Sequence, residues 1–97
     1  MLPSSTPITL AQRASRSDDA LFQEVAGEAV LLDLASEKYF GLDPVGTRIW
    51  NLLGEQESLQ VVYDQLCAAY DADPERIASD LLALMGQLAE AGLVKLS

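Results

Sequence analysis

The sequence predicts an α+β domain in which a three-stranded antiparallel meander is followed by three helices. Short apolar runs ended by turn signals fill residues 21–43, which is typical of strands joined by tight turns. Apolar residues then recur at helical spacing in residues 49–53, 59–70 and 77–88. A serine and two Asp-Pro pairs precede these stretches, where helix N-caps are expected.

Composition limits the chain to one domain and narrows its partners. It has 97 residues, of which 49% are hydrophobic, and a formal net charge of −9. A surface this acidic repels phosphate backbones and anionic lipid, so we expect neither a nucleic-acid nor a membrane partner. The sequence has no apolar run long enough to cross a bilayer and no signal-peptide core, so we expect a cytoplasmic protein.

The first twenty residues differ from the rest. They are rich in Ser, Thr, Ala and charge, and "PITLA" is the part that favours a short extended piece. We therefore expect residues 1–20 to be flexible or loosely attached, and residues 21–97 to form the domain.

Three strands are predicted in the first half of the domain. The runs "LFQEVA" and "AVLLDLA" are separated by the turn signal "GE", and "SE" separates the second run from "KYFGLD". Tight turns between neighbouring strands give an antiparallel meander. The third strand, which begins at Lys38, then lies at an edge of the sheet.

Three helices are predicted in the second half. Asp43 caps a helix that starts at Pro44 and is ended by Gly54. Ser58 caps the second helix, whose buried stripe is Leu59, Val62, Tyr63, Leu66, Cys67 and Tyr70. Asp73 and Pro74 start the third helix, which turns Ile77, Leu81, Leu84, Met85 and Leu88 inward and ends at Gly92. The final "LVKLS" packs back on the core.

The sequence offers little for catalysis. Histidine is absent and Cys67 is the single cysteine, so the usual general base and nucleophile pairs cannot be built. Cys67 lies in an apolar stripe, and Trp50 sits at helical spacing, so both are expected in the core. The carboxylates are scattered over loops and caps. We therefore predict no catalytic residue, no metal site and no cofactor.

The third strand and the third helix suggest binding. An exposed sheet edge presents unpaired backbone groups that an extended peptide can use, and here Lys38 alone blunts it. Gly41 within this strand favours close approach of another backbone. The third helix carries more apolar surface than one buried face needs. That surplus, with Gly86 in its midst, is alternatively explained by packing on the first strand or on a second copy of the chain.

The order of elements and several motifs resemble the PqqD-like family of small leader-peptide-binding proteins, the RiPP recognition elements of ribosomally made, modified peptides. The resemblance rests on "YFGLD", on "GTRIW" after it, and on "LAEAGLV" at the end, and it extends from about Leu21 to Val94. Asp43 differs from the Asn of many members, but either residue caps a helix.

The resemblance implies a winged helix-turn-helix-like fold and a binding protein rather than an enzyme. The leader region of a precursor peptide would add as a strand in a groove between the third strand and third helix, and be delivered to a separate maturation enzyme. The implied contact residues are Lys38, Tyr39, Phe40, Gly41, Leu42, Ile77, Asp80, Leu81, Leu84 and Met85. The acidic composition favours leaders with Lys or Arg beside apolar anchors.

Several functions stay open at this point. The Ser/Thr-containing N-terminus and the Ala/Leu-rich third helix favour a lasso peptide pathway, in which a cysteine protease removes the leader. The alternative within the family is a peptide chaperone of pyrroloquinoline quinone (PQQ) biosynthesis that serves a radical enzyme. A DNA-binding winged helix is disfavoured by charge. An acidic carrier protein is disfavoured because Ser79 lies in "ASDL" inside an apolar helix.

Overall fold

A three-stranded sheet packed against three helices forms the main body of the protein, which we describe from a computed structural model covering residues 8–26 and 28–97. The elements in chain order are β1 (Ala14–Arg16), β2 (Ala20–Val25), β3 (Glu28–Asp33), β4 (Lys38–Leu42), α1 (Pro44–Glu55), α2 (Leu59–Ala69), α3 (Pro74–Glu90) and β5 (Val94–Leu96). The predicted α+β class is confirmed, with the three meander strands as β2, β3 and β4.

Two tight turns join the meander. Val25 pairs with Glu28 across the first, and Asp33 pairs with Lys38 across the second. The buried carboxylate of Asp33 accepts hydrogen bonds from the Ala35 N–H (3.2 Å) and the Ser36 hydroxyl (2.7 Å). These bonds hold the chain in the turn that leads into β4.

The helices start where the sequence predicted. The Asp43 side chain accepts from the Gly46 N–H at 2.7 Å, Ser58 accepts from Val61, and Asp73 accepts from Glu75. Gly54 does not end the first helix, because α1 continues to Glu55. The Arg16 guanidinium occupies the space that a Cβ on Gly54 would fill.

A second, two-stranded sheet ties the two ends of the described chain together. β1 pairs antiparallel with β5, and Ala14 of β1 is fully buried. This departs, for residues 14–16, from the loose attachment expected of residues 1–20, whereas residues 1–7 lie outside the described part. A three-residue strand shows too little alternation to be recognised, and its partner is about eighty residues away in the chain. The prediction that "LVKLS" packs back on the core is confirmed by the burial of Leu93 and Val94.

One core joins the inner face of the sheet to the helices. Its fully buried large side chains are Leu31, Leu59, Val62, Leu66, Leu81, Met85, Leu88 and Leu93. Trp50 is buried as predicted, and Cys67 is half-buried on α2. Ile8 approaches Gly86 and so covers part of the surplus apolar surface of α3. None of the helices in the described ranges is long and apolar enough to span a membrane.

Candidate functional site

A surface groove of about 500 Å³ separates β4 from α3, with the start of α1 at one side. β4 supplies one wall, α3 the other, and the first turns of α1 close the groove between them. The lining residues are Phe40, Gly41, Leu42, Asp43, Val45, Gly46, Ile49, Asp80, Ala83, Leu84 and Gln87.

The β4 wall is an edge of the sheet, because the strand order is β2-β3-β4. The direction of its backbone groups follows from the ladder. Leu34 directly follows β3, and its N–H donates to the carbonyl of Asp19, which directly precedes β2, at 2.9 Å. The backbone N–H of Leu34 therefore points toward β2. Backbone groups alternate in direction along an antiparallel strand. The β3 residues that face β4 are therefore Ala29, Leu31 and Asp33.

The same register shows which backbone N–H and C=O groups of β4 do not pair with β3. Ala29, Leu31 and Asp33 pair with Leu42, Phe40 and Lys38. These three residues of β4 therefore direct their N–H and C=O toward β3. The N–H and C=O of Tyr39 and Gly41 point away from β3, to an edge that no other strand of residues 8–26 and 28–97 pairs with, so another strand can pair with them there.

Packing among the described residues does not require a glycine at position 41. Its backbone lies outside the left-handed region, and a Cβ added there would have no neighbour within 4 Å beyond the adjacent residues. Both usual reasons for glycine in a strand, a positive φ and a crowded Cβ, are therefore missing.

The α3 wall presents residues spaced three and four apart. Asp80 is exposed, Leu84 is half-buried, and Ala83 and Gln87 complete the strip. Arg76 lies one turn before Asp80, at 3.9 Å between Nε and Oδ2, and both side chains are largely exposed. An exposed pair at this distance is weak, so it leaves the Asp80 carboxylate available.

A small apolar hollow continues the groove between the helices. It has a volume of about 130 Å³ and shares Val45, Ile49 and Asp80 with the groove. Its remaining lining residues are Leu66, Tyr70, Ala72, Arg76, Ile77 and Leu81.

The structure brings five of the ten predicted contact residues into the groove lining: Phe40, Gly41, Leu42, Asp80 and Leu84. Ile77 and Leu81 line the hollow, and Met85 is fully buried in the core. Lys38 and Tyr39 lie on β4 outside the lining. Whether any of them contacts a peptide stays a prediction.

Six residues of the groove lining were not among the predicted contacts: Asp43, Val45, Gly46, Ile49, Ala83 and Gln87. The last two could have been found, because Asp80, Ala83, Leu84 and Gln87 follow one helical strip. Val45 and Ile49 carry no such signal, since their place in the groove depends on how α1 packs beside β4.

The outer face of the meander, on the side away from the helices, is also left exposed by residues 8–26 and 28–97. Leu21, Leu32 and Tyr39 form one row across the three strands, and Gln23, Val30 and Gly41 form the next. Leu21 is 41% exposed, Val25 69% and Tyr39 76%. Within the described strands, Glu28 is the one charged residue on this face. We call it the outer sheet face.

The groove offers strand pairing beside apolar and acidic side chains. Within residues 8–26 and 28–97, no three His, Cys, Asp or Glu side chains cluster in a way that could hold a metal ion.

Comparison with known proteins identifies the family. The model of the family described as coenzyme PQQ synthesis protein D (PqqD) matches residues 28–94, which include β3, β4 and all three helices. The chain belongs to the PqqD family. The match spans the groove and starts at the second strand of the meander, so the site lies within the family's shared part.

Two solved structures resemble this PqqD-family chain. TbiB1, solved in complex with the TbiA(beta) leader peptide, is 37% identical, with a TM-score of 0.77 over 84% of this chain and 94% of the other. A lasso peptide synthetase B1 complexed with the leader peptide is 23% identical, with a TM-score of 0.71 over 84% and 96%, and shows the shared fold. No curated protein matches the chain significantly.

Proposed function

We propose that this PqqD-family chain binds the leader segment of a ribosomally made precursor peptide as an added strand on β4, in the groove beside α3. The observation that carries the proposal is the edge of β4 along a groove lined by apolar and acidic side chains, with the N–H and C=O of Tyr39 and Gly41 directed outward. An extended peptide obtains affinity from such groups and selectivity from the pockets beside them.

The similarity to TbiB1 supports this function. That protein is 37% identical over most of both chains and was solved with a leader peptide bound. Both similar structures carry leader peptides, and the second is a lasso peptide synthetase component. We therefore favour the leader of a lasso peptide precursor. The family description keeps the PQQ peptide chaperone as the second candidate.

An added strand would use the groove through every second side chain. Residues of the leader opposite Phe40 and Leu42 would share the inner face of the sheet and point toward Leu84 and Val45. The hollow beyond them has room for part of one apolar side chain. Intervening residues would lie on the outer sheet face beside Tyr39.

Delivery to a separate maturation enzyme requires a second surface, and the outer sheet face suits it. It is apolar and almost uncharged on a protein whose net charge is −9. A three-stranded face measures roughly 14 by 18 Å, well below the ~800 Å² per partner of a stable interface. A transient partner that also contacts the leader strand fits this area best. We propose the cysteine leader protease of a lasso peptide pathway as this partner.

Proline substitution tests strand addition directly. Gly41→Pro removes an N–H that only an added strand would use and leaves the β3–β4 ladder intact. Glu24→Pro makes the matched change on the other edge strand, since the N–H of Glu24 also points away from β3 by the same alternation. Calorimetry would use a synthetic leader of the precursor encoded beside the gene of this chain.

We expect Gly41→Pro to weaken leader binding at least tenfold, which corresponds to about 1.4 kcal/mol, while Glu24→Pro keeps the wild-type affinity. Equal losses in the two variants, with both folded by circular dichroism, would place the leader elsewhere. Incubation with the purified chain alone should leave the precursor mass unchanged, because the proposal assigns the chemistry to the partner enzyme.

A further inference from the structure

The charged side chains that line the groove are both acidic. Asp43 stands at the start of α1 and Asp80 in the second turn of α3, and no Lys or Arg is among the lining residues in the described part of the chain. The cation that approaches, Arg76, forms a pair of 3.9 Å with Asp80 whose side chains are 79% and 68% exposed. Solvent screening makes that pair easy to exchange for another cation.

The rest of the lining beside these carboxylates is apolar or neutral. Phe40, Val45, Ile49 and Leu84 offer contact to an apolar side chain. The Asp43 carboxylate is held in place because its Oδ1 accepts the Gly46 N–H at 2.7 Å. A fixed carboxylate beside apolar walls favours a cation more than a mobile one in open water does.

Strand periodicity decides how one peptide could contact both the carboxylates and the apolar side chains of the groove. Side chains on the same face of a strand are two residues apart, or about 7 Å. A leader residue opposite Phe40 and another opposite Leu42 would both point into the groove. The second lies toward Asp43, which follows Leu42 directly.

We propose that the leader carries a Lys or Arg two residues from its apolar anchor, on the groove side of the added strand, and that Asp80 together with Asp43 selects this cation. The proposal rests on the proposed leader binding and adds the chemistry of the segment that is bound. Asp80 is the better test residue, because Asp43 also caps α1.

The test is a charge exchange measured by calorimetry on the folded full chain. The probes are the synthetic leader encoded beside the gene and the same leader with its groove-side Lys or Arg replaced by Glu. The proteins are the wild type, Asp80→Lys, and Glu90→Lys as a control. Glu90→Lys changes the net charge by the same amount as Asp80→Lys. Because Glu90 lies at the exposed end of α3, outside the groove lining, it does so away from the proposed site.

We expect Asp80→Lys to bind the natural leader roughly 3- to 10-fold more weakly and to recover most of that loss with the Glu-containing leader. Glu90→Lys should follow the wild type with both peptides. Equal responses of Asp80→Lys and Glu90→Lys would overturn the inference, because net charge alone would then explain them. A bound leader stretch without a cation would overturn it too. If the wild type binds neither leader, the proposed function itself fails.

Discussion

Val30 of β3 pairs with Gly41 of β4, and on the other side of Val30 the ladder places Gln23 of β2. One row of the outer sheet face thus has a glycine at one edge and a glutamine at the other. The position of a Cβ on Gly41 is open space. The glycine therefore serves no contact within the described chain, and a valine can be introduced at either end of the same row.

Gly41→Val should leave the fold intact and weaken leader binding. Valine raises strand propensity and meets no neighbour in the free protein, so we expect an unchanged or slightly higher melting temperature. Its branched side chain would crowd the leader residue paired with position 41, and we expect a loss of about tenfold in affinity, or 1.4 kcal/mol. Calorimetry beside thermal melts measures both. Gln23→Val is the control, and an equal loss there would contradict a leader on β4.

Leu21→Lys should slow delivery of the leader to the protease without changing the affinity for the leader. Leu21 lies on the outer sheet face at the edge far from β4. We expect unchanged leader affinity but at least about fivefold slower leader removal by the leader protease encoded beside the precursor, because a charge would be placed in an apolar interface. Val61→Lys on α2, at 40% exposure against 41% for Leu21, is the control. Wild-type turnover in Leu21→Lys would remove the outer sheet face from the delivery step.

Asp33→Ala should destabilise the meander. Asp33 is 7% exposed and its carboxylate accepts the Ala35 N–H and the Ser36 hydroxyl. Loss of these bonds should lower the free energy of unfolding by about 1–3 kcal/mol. Urea denaturation measures it, with the exposed Asp19→Ala as control. A change below about 0.5 kcal/mol would mean that the turn forms without this carboxylate.

Gly54→Ala should show coupling to Arg16. The Arg16 guanidinium lies over the Trp50 ring, 5.3 Å from its centroid, and in the space of a Cβ on Gly54. Alanine improves helix propensity by about 1 kcal/mol but displaces this cation–π contact. We expect Gly54→Ala to raise the free energy of unfolding by this full amount, about 1 kcal/mol, when Arg16 is replaced by alanine. In the wild-type background the increase should be smaller. If the changes in unfolding free energy of the two substitutions are additive in the double-mutant cycle, the guanidinium moves aside without losing stabilising contacts.

The sequence predicted α+β, the three meander strands and the three helix starts, because these depend on neighbours in the chain. Asp43 and Asp73 bind N–H groups two or three residues away, and Pro44 and Pro74 fix the first helical dihedral. The resemblance to PqqD proteins depends on neighbours in the chain too, because "YFGLD" and the residues after it are local patterns.

Which residues of α3 face the groove could be predicted only in part. Leu81, Leu84 and Met85 all lie on an apolar stripe, but successive positions are 100° apart around the helix, and only its seating against β4 and α1 turns Leu84 into the groove and the other two inward.

The sequence by itself thus determined the helices, the meander strands and the edge position of β4, since caps, turns and periodicity act within a few residues. The tertiary structure alone decided the pairing of β1 with β5, the joining of Val45 and Ile49 to the groove, and the placement of Asp43 near the wall that carries Asp80. Those relations join residues far apart in the chain, and they depend on how the elements pack, which no local pattern specifies.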